Sequence, residues 1–384
     1  MTVTLTTKER LIRQVRGEEV DRIPALGGWI MGVRNLAALA GISVEEYQRD
    51  PMRGVIRAHQ AMAIDGMVNP IVPTELEAIR TGAVTEERYA GIEPEALEER
   101  ANSIPDTEAE VLASFDAQAN ERGFRDYFET AFATWGGLEP IPNFWDLGGH
   151  FPLYGEFGYE AFLAACALYP EAVGKIWWAK SLVSRERAKI LLPLYREYNL
   201  VPVLFCGEDL CTNRGPMLSP EFLREYYFPT VAMILEPLVD AGIRIIHHCD
   251  GDVRPVLQDF LNIGFSGFQG FQYEDYVDLY ALRRLRSRLG EEVLLFTGMS
   301  CTRTLPLGTP DDVREDVDYF IDATDGGRGM FLFSSNVIGV EVPVENIRAG
   351  YAHVKSWDPS QPRVKSHTRW PWGEKHPDCF STEE

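Results

Sequence analysis

The chain has 384 residues, 45% of them hydrophobic, with a formal net charge of −21 and a pI near 4.8. That balance excludes nucleic acid as a partner, because phosphate binding needs clustered Lys and Arg, and it argues against an anionic membrane surface. The six cysteines (Cys166, Cys206, Cys211, Cys249, Cys301 and Cys379) show no C-x-x-C spacing, so no disulfide framework is expected. No signal-peptide pattern opens the chain, and no run reaches the ~18 apolar residues of a membrane helix. The expectation is a reduced, cytoplasmic protein without membrane spans.

Taken in order, Thr7 to Gly17 is amphipathic and predicts a first helix, and Asp21-Arg22-Ile23-Pro24 leads into an extended Ala25 to Trp29. Helical patterns follow over Val44 to Met52 and Gly54 to Ala63, and Asp65 to Val72 reads as a strand with its exit loop. The acidic stretch of about 81–132 reads as an insertion or peripheral layer. Aromatic residues and glycines then cluster at Phe144-Trp145-Asp-Leu-Gly-Gly-His150 and Tyr154-Gly-Glu-Phe-Gly158. This suits the wall of a pocket and equally suits core packing. Pro170 opens a long helix, with proline at its first turn.

From Leu200 onward, strands and helices alternate. Strand patterns lie at Leu200–Phe205, Gly242–Ile246, Gly267–Gln272, Glu292–Thr297 and Gly329–Ser334, with helices between them. Ser219-Pro220 and Thr309-Pro310 carry the cap-then-proline signature of helix starts. Such alternation predicts a parallel sheet. No G-x-G-x-x-G or Walker motif follows a strand, which favours an α/β fold of the (β/α)8 TIM-barrel type over a nucleotide-binding doubly wound sheet. The barrel is expected over 1–356 with N-terminal helical additions, and 357–384 reads as a C-terminal surface tail.

In a barrel the carboxyl ends of the strands form the reactive rim. They carry Cys206-Gly-Glu208-Asp209, then His247-His248-Cys249-Asp250, Gln269 and Gln272, Cys301, and Ser334-Ser335-Asn336. In extended chain His248 and Asp250 leave one side, while His247 and Cys249 leave the other. Either pair is a candidate centre. Glu208, His248 and Asp250 can form a metal site of nitrogen and oxygen ligands, or an acid–base group without metal. Gln269 and Gln272 would orient a substrate against an apolar wall of Trp29, Phe144 and Trp145.

Several blocks resemble the uroporphyrinogen decarboxylase superfamily, in the family's order along nearly the whole chain. They are Arg10-Leu-Ile with Gly17 and Asp21-Arg22-Ile-Pro24; Glu208-Asp-Leu with Arg214-Gly-Pro-Met-Leu-Ser219-Pro-Glu-Phe-Leu; His248-x-Asp250-Gly251; Gly308-Thr-Pro-Asp-Asp-Val; and Pro343-Val-Glu-Asn346. The resemblance implies a (β/α)8 barrel, and either a porphyrin decarboxylase or a corrinoid-linked methyltransferase. The decarboxylases grip substrate carboxylates with an arginine-rich segment; the corresponding Gly27 to Asn35 has only Arg34. The block from Glu208 to Phe222 resembles the methyltransferase branch. There zinc is held by H-x-C-G and a later cysteine. Here His248 takes the histidine position, Asp250 replaces the first cysteine, and Asn336 or Ser335 lies near the second; a one-residue shift gives His247-x-Cys249 instead.

The implied activity is methyl transfer between a small methylated compound, such as a methoxylated aromatic, and a corrinoid or other one-carbon carrier. Zinc is the implied metal, and a corrinoid protein is the implied partner. The alternatives are a decarboxylase-like lyase and a non-catalytic barrel that binds a ligand or a corrinoid protein.

Overall fold

A computed structural model describes residues 4–75, 86–271, 273–274, 277–358, 365–367 and 369–376. Three short strands, β1 (Leu26–Gly27), β2 (Gly66–Met67) and β3 (Glu139–Pro140), pair in parallel in that order. After β4 (Val203–Gly207) comes a small hairpin, β5 (Cys211–Thr212) and β6 (Gly215–Pro216). Then follow β7 (Arg244–Cys249), β8 (Phe265–Gly270), β9 (Leu294–Met299) and β10 (Met330–Ser334). These join β4 in a curled, parallel five-stranded sheet of order β10-β9-β8-β7-β4. At its two edges isolated parallel bridges, Asn143 to Phe205 and Ala25 to Leu332, reach the three-stranded sheet. There Phe205 N–H donates to the Pro142 carbonyl at 2.8 Å and Leu332 N–H to that of Pro24 at 2.9 Å.

Strand alternation separates two apolar layers. Leu26, Val203, Phe205, Ile246, Leu294, Phe296, Phe331 and Phe333 share one cluster with Leu11 and Val15 of the first helix, α1 (Thr7–Val15). The intervening residues, such as Leu204, Cys206, Ile245, Leu295 and Leu332, pack in the layer of helices. Each large side chain so buried contributes about 1.5–3 kcal/mol. The helix starts read from the sequence are present: Ser219 Oγ accepts from Phe222 N–H at 3.1 Å, and Thr309 forms a capping box with Asp312.

The motif blocks near the ends of the chain have structural work. Arg10 pairs with Asp21 and Asp65, both at 2.6 Å, and Arg22 pairs with Asp65 at 2.8 Å. Asp65 also accepts from Ala25 N–H at 2.9 Å, so one buried carboxylate ties α1 to the entry of β1. Asn346 donates to the carbonyls of Leu305 and Gly308 at 2.9 and 2.8 Å, locking the helix Val344–Ser356 to the short helix Thr304–Leu307 and its end.

Of the expected insertion, residues 81–85 lie outside the described residues. The helices Glu95–Asn102 and Ala117–Thr134 pack on the long helix Pro170–Glu197, burying Leu97, Phe124 and Phe128. The tail is not simply a surface arm. Trp370 and Trp372 are buried beside the short helix Pro371–Lys375, and Trp370 Nε1 donates to Asp316 at 2.8 Å.

Asp65→Ala would leave two arginines facing an empty, buried position. A loss of about 3–5 kcal/mol in urea unfolding is expected for breaking such a pair. A loss below about 1 kcal/mol, typical of exposed ion pairs, would contradict the tie assigned to Asp65.

Candidate functional site

The carboxyl ends of β4 and β7 meet because Gly207 pairs with His248 in the parallel register. Gly207 has φ +147°, and a Cβ there would lie 2.1 Å from the His248 carbonyl oxygen, so only glycine fits. The same close approach lets Glu208 N–H donate to that carbonyl at 3.0 Å. Alternation then turns Asp209 away from the layer of helices, at the carboxyl ends of the strands. Its Oδ1 accepts from Asp250 N–H at 2.8 Å and lies 3.5 Å from His248 Nε2. Ligating atoms of Asp209, His248 and Asp250 all fall within 4.8 Å of one another.

On β7 the choice between the two candidate pairs is resolved by packing. Ile246 joins the inner cluster and His248 leaves on the same side as Ile246, whereas His247 and Cys249 point into the helix layer. The His247 ring sits 4.4 Å from Phe260 and 4.3 Å from Phe265, centroid to centroid, and neither ring nitrogen has a hydrogen-bond partner among the described residues. Burial pushes its pKa well below the usual imidazole range. The Cys249 thiol donates to the Asp250 carbonyl at 3.2 Å, and burial pushes its pKa well up.

His248 is fixed from behind. Gln269 Nε2 donates to the carbonyls of Ser334 and Ser335 at 2.8 and 3.0 Å. Its Oε1 must therefore accept, and His248 Nδ1 is the donor. In the neutral ring this leaves the Nε2 lone pair facing Asp209. Asp250 is held by Asn336, whose Oδ1 accepts from Val337 N–H at 2.6 Å and whose amide therefore donates to the Asp250 carboxylate. Burial raises the Asp250 pKa above the usual range; His248 opposes this, and Asp209 adds to it.

Trp29 and Trp145 meet the His248 ring edge-on, each at 5.6 Å with interplanar angles of 83° and 88°. The two indoles face each other at 6.3 Å and 25°, with Phe205 against both.

Several expected site residues fall elsewhere. Glu208 leaves the opposite side of the chain from Asp209, and the cluster forms around Asp209 in its place. Its Oε2 is buried without a hydrogen-bond partner among the described residues, and burial drives its pKa well above the carboxylate range. Phe144 packs with Phe124 at 4.7 Å and with Tyr127 and Phe128, in the layer of helices rather than beside His248. Arg34 stands exposed on the helix Val33–Ala40. Gln272 lies outside the described residues.

Asp209 was legible as a strand-end carboxylate, two residues from Gly207 and four from the inward Phe205. Glu274 carried no signal. It is buried, its Oε1 accepts from Ser335 Oγ at 3.0 Å, and burial raises its pKa from 4.5 to about 7. Asp316, nearby, is raised from 3.8 to about 6 by the same cause.

Between their unfolded and folded pKa values these two carboxyls hold protons in the native state that the unfolded chain has released. Their contribution to stability is full below the unfolded values and falls as pH rises toward about 7. Glu274→Gln should remove roughly 3 kcal/mol, at most, of the decline between about pH 5 and about pH 8 in urea unfolding. An unchanged decline in the variant would contradict the raised carboxyl.

The comparisons with known proteins agree with the resemblance in the sequence. No curated protein matches the chain. Among solved structures it is similar to a methyltransferase from Methanosarcina mazei, at 15% identity and a TM-score of 0.58, covering 91% of this chain and 98% of that one. Identity so low speaks for a shared fold alone. Residues 208–357, from the end of β4 through the helix Val344–Ser356, match the family model described as Uroporphyrinogen decarboxylase (URO-D). That matched stretch holds Asp209, His248 and Asp250.

Proposed function

We propose that the chain is a methyltransferase, taking a methyl group from a small methylated compound and passing it to a corrinoid or another one-carbon carrier. The two parallel sheets and the bridges at their edges are read as one closed (β/α)8 barrel, with Asp209, His248 and Asp250 at its mouth. The observation that carries the reading is the fixed imidazole. With Nδ1 committed to Gln269, the Nε2 lone pair lies 3.5 Å from Asp209 Oδ1. Two acceptors so placed repel unless positive charge lies between them.

The donor set of one imidazole nitrogen and two carboxylates fits a divalent cation with nitrogen and oxygen ligands, zinc among them. When bound, such an ion would supply Lewis acidity to the leaving oxygen or nitrogen of the methyl donor. The chain's own residues set the rest. Gln269 and Asn336 hold His248 and Asp250 in place, while Trp29, Trp145 and Phe205 form an apolar wall that excludes water and suits an aromatic ether. In the transfer, the bond from the methyl carbon to the donor atom breaks as the carrier's nucleophile bonds to that carbon, and the leaving atom keeps the electron pair.

A second reading rests on the raised pKa of Asp250. A protonated Asp250 could donate its proton to the leaving atom without any metal. The exposed position of Arg34, the one arginine of the segment that would grip substrate carboxylates, supports transfer over decarboxylation.

Metal content by mass spectrometry separates the two readings. The first expects His248→Ala and Asp209→Ala to lose the ion, and Gln269→Ala to weaken its binding by roughly 10–100-fold, as loss of a ligand's hydrogen-bond partner does. Negligible metal in wild type and variants alike would leave only the proton-donor reading. For the reaction, mixing protein, methoxylated or methylamine donors and reduced corrinoid should give the methylcobalamin spectrum. No methyl transfer from a broad donor panel to corrinoid, folate or thiol, or efficient turnover of uroporphyrinogen, would overturn it.

A further inference from the structure

Behind the site, the turn Ser334 to Asn336 does two jobs. Its carbonyls at 334 and 335 take both amide protons of Gln269 and so fix His248, while Asn336 donates to Asp250. What holds the turn itself is Glu274, which is 1% exposed. Its Oε1 accepts from Ser335 Oγ at 3.0 Å and Thr302 Oγ1 at 3.4 Å. Ser335 Oγ in turn accepts from Cys301 N–H at 3.0 Å, Ser335 N–H donates to the Met299 carbonyl at 2.8 Å, and Cys301 Sγ donates to the Asn336 carbonyl at 3.0 Å. A carboxyl group is costly at such a position, and an apolar side chain would fill the space without that cost. Its retained role is the acceptor it offers to Ser335.

We propose that Glu274 is a positioning residue of this site: through Ser335 it orients the two carbonyls that fix the Gln269 amide, and thereby keeps His248 protonated on Nδ1 with Nε2 free toward Asp209 and Asp250. The inference rests on that cluster being the functional site, but its consequence is a tautomer and not a rate. A failed methyl-transfer assay leaves it standing, and an unmoved tautomer leaves the reaction standing.

The test is the nitrogen NMR spectrum of ¹⁵N-histidine-labelled, metal-free protein above the imidazole titration range, with His248 assigned by its loss in His248→Ala. In the wild type the two ring-nitrogen signals of His248 should be well separated, as a single Nδ1–H tautomer requires. Glu274→Ala should draw them together as the Nε2–H form becomes populated. Glu274→Gln, which keeps an acceptor for Ser335 Oγ, should leave them apart. Ser335→Ala removes the hydroxyl but keeps both carbonyls; it should behave as Glu274→Ala does and carries the test if Glu274→Ala does not fold. Signals that stay separated in a folded alanine variant, even with lowered thermal stability, would reduce Glu274 to a packing role and overturn the proposal.

Discussion

A primary amide has two donor hydrogens on one end and an acceptor on the other, and it cannot serve both ends at once. Gln269 spends both hydrogens on the carbonyls of Ser334 and Ser335, so its oxygen has to face His248. The ring must then donate from Nδ1, and its remaining nitrogen presents a lone pair toward Asp209 and Asp250. Two carboxylates and a lone pair in so small a volume form a concentration of negative potential. It is relieved by a cation or by a proton on Asp250. The edge-on indoles of Trp29 and Trp145 keep one side of this group apolar, which strengthens whatever electrostatic interaction forms there.

Much of the fold was legible because local signals and burial agree. The β-branched and aromatic runs after residue 200 became parallel strands, and the Ser219 and Thr309 caps start helices where the sequence places them. Arg10, Asp21 and Arg22 were legible only as a motif. Their physical role needed Asp65, more than forty residues away from either arginine. In the tail, proline, tryptophan and charge in one segment look like an exposed arm, and the burial of Trp370 is not legible from them. Trp370 finds a buried acceptor in Asp316, contributed by a distant helix.

The candidate site was legible in its period but not in its phase. A repeat of two groups His248 with Asp250 and His247 with Cys249, yet it is silent on which pair faces the mouth. That was decided by Phe260 and Phe265, which enclose His247 from the helix layer. The same phase explains why Asp209, and not its neighbour Glu208, joins the cluster: it continues the inward series of Phe205 and Gly207. Glu274 was hidden because no period or motif marks it. It matters through a turn sixty residues later in the chain.

The chemistry follows from which side chains were brought together. Cys249 and Cys206 are close in sequence to the cluster but face the helix layer, where burial keeps their thiols protonated. What remains at the mouth is imidazole and carboxylate, a hard donor set suited to an oxygen or nitrogen leaving group rather than to activating a thiol. X-ray absorption spectroscopy on the zinc-loaded protein addresses this directly. The account expects a first shell of nitrogen and oxygen only, at about 2.0–2.2 Å, while a sulfur scatterer at about 2.3 Å would bring Cys249 back into the site and contradict it.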